Sequence, residues 1–191
     1  MNAQKDLDEL INRLQSDEKR PSLLLHCCCG PCASYCIDYL HNYFTITALF
    51  FNPNIMPKSE YDLRLEAFNA LLDNFSDVKK IIVGGFEDEF RLTVKGLENF
   101  PEGGARCQKC IEYRLLKTAE MSDGFDYFAT TLTVSPHKNA EFINETGLRL
   151  GAETDAKYLP TDFKKKNGFL KSIELSKKFG LYRQNYCGCR F

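Results

Sequence analysis

Short apolar runs alternate with longer amphipathic stretches along this chain. The runs are rich in β-branched and aromatic residues, which is typical of buried strands. The stretches between them place apolar residues at helical spacing, which predicts helices. The predicted strands cover residues 22–26, 44–51, 78–83 and 127–134, with a short strand or turn at 158–160. The predicted helices cover residues 4–16, 59–75, 87–97 and 169–180, and further helices begin at Pro31, near Ala105 and at residues 135–139.

This alternation of strands and helices predicts the α/β class, with a mostly parallel sheet and helices on both faces. We expect one α/β domain over residues 21–191, preceded by an N-terminal helix within residues 1–20. In such sheets the ligand crevice lies beyond the carboxyl ends of the strands. The loops at residues 27–32, 52–57 and 135–139 follow three of the predicted strands. They are therefore expected to surround one pocket.

The composition is that of an ordinary globular protein. Of 191 residues, 43% are hydrophobic and 13% aromatic, which excludes a disordered chain. No apolar run approaches the roughly 20 residues of a membrane helix. The charged, amphipathic first 20 residues lack the apolar stretch of a signal peptide. We therefore expect a cytoplasmic protein with no membrane partner.

Charge is distributed unevenly between the two ends of the chain. Residues 157–191 carry nine Lys and Arg side chains against Asp162 and Glu174, whereas the first 156 residues carry 16 basic and 24 acidic side chains. A basic C-terminal segment of this kind favours a polyanionic partner such as a nucleic acid. A solvated basic helix face explains the same pattern, so charge alone leaves both interpretations open.

The nine cysteines are the unusual feature of the sequence. Their odd number, in a chain without an export signal, argues against a closed disulfide framework. In a reducing compartment, cysteines of this kind bind metals or take part in catalysis. They are also clustered rather than scattered, at residues 27–36, 107–110 and 187–189. This clustering predicts thiol or metal chemistry.

Cys107 and Cys110 stand three residues apart in a predicted helix, so both project from one face and can bind one metal centre. The cysteines available to complete that centre are those at positions 27, 28, 29 and 32. Adjacent cysteines favour an iron–sulfur cluster, whose usual complement is four thiolates. A tetrahedral zinc ion with the same ligands is the alternative.

The cysteines of the first cluster are expected to differ in role. Cys27, nearest the strand, and Cys36, one turn into the following helix, are expected to pack in the core. Cys28 and Cys29 enter the loop at the predicted crevice. Cys32 would lie in the first helical turn, where the helix dipole favours a thiolate.

A third pair of cysteines, Cys187 and Cys189, flanks a single glycine. A disulfide between them would close a very small and strained ring, and strained disulfides are more oxidising than structural ones. The pair therefore indicates a cycling redox couple. Two terminal thiols that bind metal adventitiously are the alternative.

Other polar residues give weaker signals. His26 is expected to be a hydrogen-bonded core residue, and His137 either meets a substrate or begins a helix. Asp38, Glu60 and Asp62 are expected to be solvated charges. The sequence has no G-x-G-x-x-G, Walker or G-x-S-x-G motif, so it gives no support to a cofactor dehydrogenase, a P-loop protein or a serine hydrolase.

Five stretches in this order resemble the non-cobalamin epoxyqueuosine reductase family of the queuosine tRNA-modification pathway. They are residues 26–32 (HCCCGPC), 51–55 (FNPNI) with Glu60, Tyr61 and Arg64, 106–110 (RCQKC), 131–139 (TLTVSPHKN) and 182–189 (YRQNYCGC). The resemblance implies a Rossmann-like fold of the adenine-nucleotide-hydrolase type, without a requirement for ATP. It also implies a cysteine-rich C-terminal tail.

The resemblance implies site residues and cofactors as well. The residues that match ligands of a [4Fe–4S] cluster are Cys28, Cys29, Cys107 and Cys110. Cys32 matches a ligand of a second iron or other divalent metal ion and is a candidate catalytic residue. Cys187 and Cys189 match a catalytic redox dithiol.

The reaction that the resemblance implies removes the epoxide oxygen of epoxyqueuosine at the tRNA wobble position. It needs two electrons and two protons, and hence an electron donor that the sequence does not identify. The predicted phosphate contacts are Lys164, Lys165, Lys166, Lys171 and Arg183. The aromatic side chains available for bases are Tyr158, Phe163, Phe169, Tyr182 and Tyr186, of which fewer than half are expected to touch RNA. A zinc-stabilised RNA-binding module and a thiol–disulfide oxidoreductase remain alternatives.

Overall fold

A parallel β-sheet forms the centre of the protein. The structure is a computed structural model that describes residues 2–189. The strands within that range are β1 (Ser22–His26), β2 (Thr45–Phe51), β3 (Lys79–Val83), β4 (Tyr127–Thr130) and β5 (Lys157–Tyr158). They form one sheet in the order β3-β2-β1-β4-β5, and each neighbouring pair is parallel. The predicted α/β class and parallel sheet are confirmed.

Helices cover both faces of this sheet. They are α1 (Ala3–Ser16), α2 (Gly30–Leu40), α3 (Lys58–Leu72), α4 (Glu87–Thr93), α5 (Ala105–Glu120), α6 (Ala140–Gly151) and α7 (Gly168–Lys178). One hydrophobic core joins α1, α2, α3 and α7 to one face of the sheet, and a second joins α4, α5 and α6 to the other. None of these helices, within the part of the chain that the structure describes, is long and apolar enough to cross a bilayer.

The sequence of β1 explains its central place. Leu23 and Leu25 point into one core, while Leu24 points into the other, and all three are fully buried. A strand that is apolar on both faces is stable only where helices cover both sides of the sheet. The amphipathic α1 supplies part of that cover, because its Leu7 and Ile11 belong to the same core as Leu23.

Two predicted elements extend about four residues beyond the observed ones. The fourth strand ends at Thr130 instead of continuing to residue 134, because the Thr130 hydroxyl accepts a hydrogen bond from the backbone of Leu132 and starts a 3₁₀ turn over Thr131–Val134. The helix predicted over residues 87–97 ends at Thr93. Gly96, with φ at +82°, follows in a left-handed conformation that a helix does not continue through.

The strand order places a crevice at the carboxyl end of β1. The chain crosses from β1 to β2 and β3 on one side, and β4 and β5 lie on the other side. In a doubly wound sheet, this reversal leaves the loops after the two adjacent strands on either side of a gap, where ligands bind. The loop after β1 carries the triple cysteine, and the 3₁₀ turn after β4 leads to His137 and Lys138.

Candidate metal centre and neighbouring thiols

Three cysteines meet in the loop between β1 and α2. The sulfur atoms of Cys28, Cys29 and Cys32 all lie within 4.8 Å of one another. Cys29 caps α2, because its sulfur accepts a hydrogen bond of 3.4 Å from the backbone N–H of Cys32. Pro31 occupies the first turn, where its missing donor costs nothing. The tight strand-to-helix turn therefore gathers the three thiols, and we call them the thiol triad.

Negative charge in the thiol triad concentrates on one sulfur. The hydrogen bond from Cys29 lowers the pKa of the Cys28 thiol well below its usual range, and the same bond raises the pKa of Cys29 to about 12. The hydrogen bond between Cys32 and Cys28 also raises the pKa of the Cys32 thiol well above its ordinary value. Cys32 lies in the first turn of α2, as predicted, but its neighbours Cys28 and Cys29 and its burial oppose the effect of the helix dipole on its thiol.

Side chains from distant segments donate to these sulfur atoms. The Thr131 hydroxyl donates to the Cys28 sulfur at 3.5 Å, and the Gln184 amide donates to the Cys29 sulfur at 3.0 Å. The nearby Arg114 guanidinium also lowers the pKa of Cys28. Such donors orient thiolate ligands and tune a bound metal. A largely enclosed group of soft sulfur ligands, with Cys29 buried and Cys28 and Cys32 half-buried, fits iron or zinc.

Buried polar residues fix the frame behind the thiol triad. The two ring nitrogens of His26 lie 2.8 Å from the Thr130 hydroxyl and 3.1 Å from the Phe51 carbonyl. Burial lowers the pKa of His26 to about 3, so the imidazole is neutral. The Asn52 amide donates to the Cys27 carbonyl at 2.9 Å. These contacts join the carboxyl ends of β1, β2 and β4, and they confirm His26 as a hydrogen-bonded core residue.

Cys27 and Cys36 lie outside the thiol triad and are fully buried in the core. Their thiols donate to the backbone carbonyls of Leu25 and Cys32, both at 3.3 Å. Their predicted burial in the core is confirmed.

The second and third cysteine pairs face one small cavity. Cys107 and Cys110 lie in the first two turns of α5, and they line a cavity of about 190 Å³ together with Cys187 and Cys189. Burial raises the pKa of Cys110 to about 11 and that of Cys189 to about 12. The three-residue spacing of Cys107 and Cys110 therefore brings both thiols to the same cavity, as predicted.

A larger cavity of about 480 Å³, lined by Cys28 and Cys32, lies next to this one. The residues that line both cavities are Glu102, Arg114, Lys138, Tyr186 and Cys187. The structure therefore groups the thiols around a common wall, with the thiol triad at one cavity and two further pairs at the other. A cluster held by thiols from both groups stays a prediction.

Lys138 is one of two cations at this shared wall, with Arg114. Its ammonium group lies 3.4 Å from the Cys187 sulfur. Burial alone would lower the pKa of Lys138, but the surrounding thiol groups, with that of Cys187 nearest, raise it overall. Lys138 therefore stays protonated and offers a positive charge to both cavities.

The C-terminal tail, residues 182–189, runs across the site and is held by α3. Arg64 donates to Glu60 and to two carbonyls of the tail, and Tyr182 donates to Glu60 at 2.8 Å. Both members of the Glu60–Arg64 pair are buried. The expectation that Glu60 is a solvated charge is therefore wrong, because the pair faces the tail, whereas Asp38 is exposed as expected.

The residues predicted to meet RNA divide into exposed and buried groups. Lys165, Tyr182 and Arg183 are exposed, and Arg183 lies 5.3 Å from the centre of the Phe169 ring. Lys164 is half-buried and donates to the Lys138 carbonyl at 3.2 Å. Tyr158 and Phe163 belong to the cores and do not reach the surface. The expectation that some of these aromatics belong to the core instead of contacting RNA is confirmed for these two.

These features define a class of protein: a Rossmann-like α/β domain that gathers buried thiols into a candidate metal centre at the carboxyl edge of its sheet. A family model described as "Epoxyqueuosine reductase QueH" matches residues 23–191. The chain belongs to the epoxyqueuosine reductase QueH family, as the motif resemblance predicts.

Three relatives, each named epoxyqueuosine reductase QueH, show how much of the chain is shared. The relative from Streptococcus pyogenes serotype M1 is 41% identical over 99% of this chain and 77% of its own. The relative from Staphylococcus epidermidis is 40% identical over 100% and 84%, and that from Thermotoga maritima is 35% identical over 89% of each chain. The family match therefore covers nearly the whole domain, including all three cysteine clusters.

Proposed function

We propose that this protein is an epoxyqueuosine reductase that acts on tRNA. The observation that carries the proposal is the thiol triad, three sulfurs within 4.8 Å of one another at the carboxyl end of the central strand, with Cys29 buried and Cys28 and Cys32 half-buried. Family membership supports the same conclusion, because the matched region includes every cysteine of the chain. The cytoplasm is the compartment we propose, since reduced thiols persist there.

The proposed reaction balances with a dithiol as the source of electrons. Two carbon–oxygen bonds of the epoxide break, a carbon–carbon double bond forms, and the oxygen leaves as water after gaining two protons. The substrate thereby takes up two electrons. Cys187 and Cys189 supply them, because forming one disulfide bond releases two electrons and two protons. An external dithiol or another two-electron donor then reduces the disulfide again.

We propose that Cys28, Cys29, Cys107 and Cys110 hold a [4Fe–4S] cluster, and that Cys32 helps to hold a second iron or other divalent ion. When bound, the cluster would supply single electrons and the ion would supply Lewis acidity toward the epoxide oxygen. The donor set fits this proposal, because thiols line both adjoining cavities.

The protein's own side chains have separate tasks in this reaction. Thr131 and Gln184 orient the sulfurs of the thiol triad through their hydrogen bonds. Lys138 places a positive charge where the epoxide oxygen gains negative charge, since it lines both cavities. The larger cavity, of about 480 Å³, is where we propose that the modified base enters.

The tRNA would lie on the exposed side of this cavity. Lys164, Lys165 and Arg183 are proposed to contact phosphates of the anticodon loop, and the exposed ring of Tyr182 is proposed to stack on a base. Arg183 supports this assignment because it lines the cavity, and Lys164 because it donates to the carbonyl of Lys138, which also lines it. Lys165 and Tyr182 are their neighbours in the chain.

The test is conversion of the substrate by anaerobically reconstituted protein. Epoxyqueuosine-containing tRNA is incubated with protein and reductant, and nucleosides are then examined by mass spectrometry for the loss of one oxygen. We expect conversion by the wild type, none by Cys107→Ala together with loss of metal, and metal without turnover for Cys187→Ser. Cys36→Ala is the matched control, because Cys36 is buried in the core.

Other outcomes would favour the alternatives. A colourless protein that holds only zinc and binds the tRNA without changing it would be a zinc-stabilised RNA-binding module. Full activity of Cys107→Ala would exclude the cluster at the proposed ligands and favour a thiol–disulfide oxidoreductase.

A further inference from the structure

We propose that Glu60 and Arg64 of α3 are positioning residues that clamp the main chain around Cys187 and hold its thiol at the wall between the two cavities. We call the pair the tail clamp. The inference rests on the proposed redox role of Cys187, but its geometry can be tested without any tRNA.

Arg64 is the centre of the tail clamp. Its Nε donates to Glu60 at 2.8 Å, its Nη1 donates to the Cys187 carbonyl at 2.9 Å, and its Nη2 donates to the Tyr186 carbonyl at 3.0 Å. A planar guanidinium holds such acceptors in a fixed fork, which a lysine ammonium does not reproduce. The carboxylate of Glu60 sets the orientation of that fork.

A further contact extends the hold along the tail. The backbone N–H of Met56 donates to the Gly188 carbonyl at 2.8 Å. The carbonyls of residues 186, 187 and 188 are therefore all bound, which fixes the main chain on both sides of Cys187. The Cys187 side chain is left facing Lys138, whose ammonium lies 3.4 Å from the sulfur.

The tail clamp also explains the glycine between the two cysteines. Gly188 has φ at +103°, a conformation that side chains disfavour. A Cβ at this position would lie 3.0 Å from Nη1 of Arg64 and 3.1 Å from a side-chain carbon of Ile55. Without a side chain, the tail lies directly against the guanidinium.

The Glu60–Arg64 ion pair is buried, as a positioning role requires, and is not a solvated surface pair. The side chains of Arg64 and Glu60 are only 3% and 9% exposed. Another ion pair on the same helix, Lys58 with Asp62, has the same spacing but side chains that are 84% and 45% exposed. The two pairs differ in burial and in their contact with the tail, so the exposed pair is a matched control.

The experiment measures the accessibility of individual thiols in the full-length, metal-loaded protein. Alkylation by iodoacetamide under anaerobic conditions is followed at each cysteine by peptide mass spectrometry. In Arg64→Lys the charge stays but the fork is lost, so we expect Cys187 to be alkylated about tenfold faster, since the protection of a thiol falls as the local opening of its segment becomes easier. Asp62→Asn should match the wild type.

Two further measurements separate positioning from a general loss of structure. Cys36 lies in α2 and is fully buried in the core, so its alkylation reports loosening of the core. It should stay slow in Arg64→Lys. Gly188→Ala pushes the tail away from Arg64 while leaving the buried ion pair intact, and it should accelerate alkylation of Cys187 in the same way.

The proposal is overturned if Arg64→Lys and Gly188→Ala leave Cys187 at its wild-type rate, or if Cys36 accelerates as much as Cys187. In substrate assays Arg64→Lys should lower kcat by a larger factor than it raises KM. A wild-type protein that converts no tRNA would refute the proposed function, whereas the alkylation result would still decide whether the tail clamp exists.

Discussion

Gly30 is the residue whose replacement tests the link between helix packing and the thiol triad. It begins α2 and stands between Cys29 and Cys32. A Cβ on Gly30 would lie 2.5 Å from the backbone oxygen of Ala67 and 2.8 Å from its carbonyl carbon. These atoms belong to the main chain of α3, so they cannot swing away as a flexible side chain would. Gly30→Ala must therefore separate the two helices.

The size of the effect follows from two opposing contributions. Alanine is favoured over glycine in a helix interior by about 1 kcal/mol, and by less at the first helical position. The new contact is about 1 Å closer than ordinary van der Waals distance, and such overpacking costs about 1–3 kcal/mol. We expect a net loss of about 1–2 kcal/mol, which lowers Tm by roughly 2–8 °C for a protein of this size.

The assay combines thermal unfolding with metal analysis. Movement of α2 displaces Cys29 and Cys32, so Gly30→Ala should also bind less metal than the wild type. Gly84→Ala is the control, because a Cβ there meets only the Tyr61 hydroxyl at an ordinary 3.6 Å. If Gly30→Ala melts and binds metal like Gly84→Ala, the close contact between α2 and α3 does not position the thiols.

Three other substitutions test separate parts of the structure. The Cys28→Ala variant should lose bound metal. Cys27→Ala should keep it, because the Cys27 thiol is buried in the core. Metal analysis of both variants tests this difference. Asn52→Ala should lower the urea-unfolding free energy by about 1–3 kcal/mol, since the buried Cys27 carbonyl loses its amide donor; an unchanged midpoint would contradict this. Hydrogen bonds from the backbone N–H and the hydroxyl of Ser22 lower the pKa of Asp126. These bonds therefore stabilise the folded protein above the unfolded pKa of about 3.9, and that stabilisation is lost as the pH falls through the lower folded pKa. Asp126→Ala should therefore be less stable than the wild type at pH 7, and urea titrations should show that gap close in acid.

Much of the fold could be predicted because its strands are continuous apolar runs. β1 is apolar on both faces, so its sequence indicates burial without further information. The end of β4 could not be predicted in this way. Thr131 and Val134 are residues that favour strands, but the side-chain cap from Thr130 to Leu132 turns the chain. Propensity cannot reveal a hydrogen bond between a side chain and the backbone.

The candidate site was predicted in its chemistry but only partly in its geometry. Cysteine spacing correctly placed Cys107 and Cys110 on one face, because helical periodicity fixes that relationship. The charge distribution in the thiol triad could not be predicted, since it depends on distances between sulfurs. The tail clamp was missed because Glu60 and Arg64 have the spacing of any surface ion pair. Only the position of the distant tail shows that the pair is buried.

The hydrogen bond from Gln184 to Cys29 joins residues that are 155 positions apart in the chain. Anything that binds between them therefore binds to the folded protein and scarcely to the unfolded one, and so shifts the folding equilibrium. The melting temperature consequently serves as a gauge of occupancy at the thiols. By the same thermodynamic coupling, a substitution far from any sulfur that favours unfolding reduces the apparent affinity of the site.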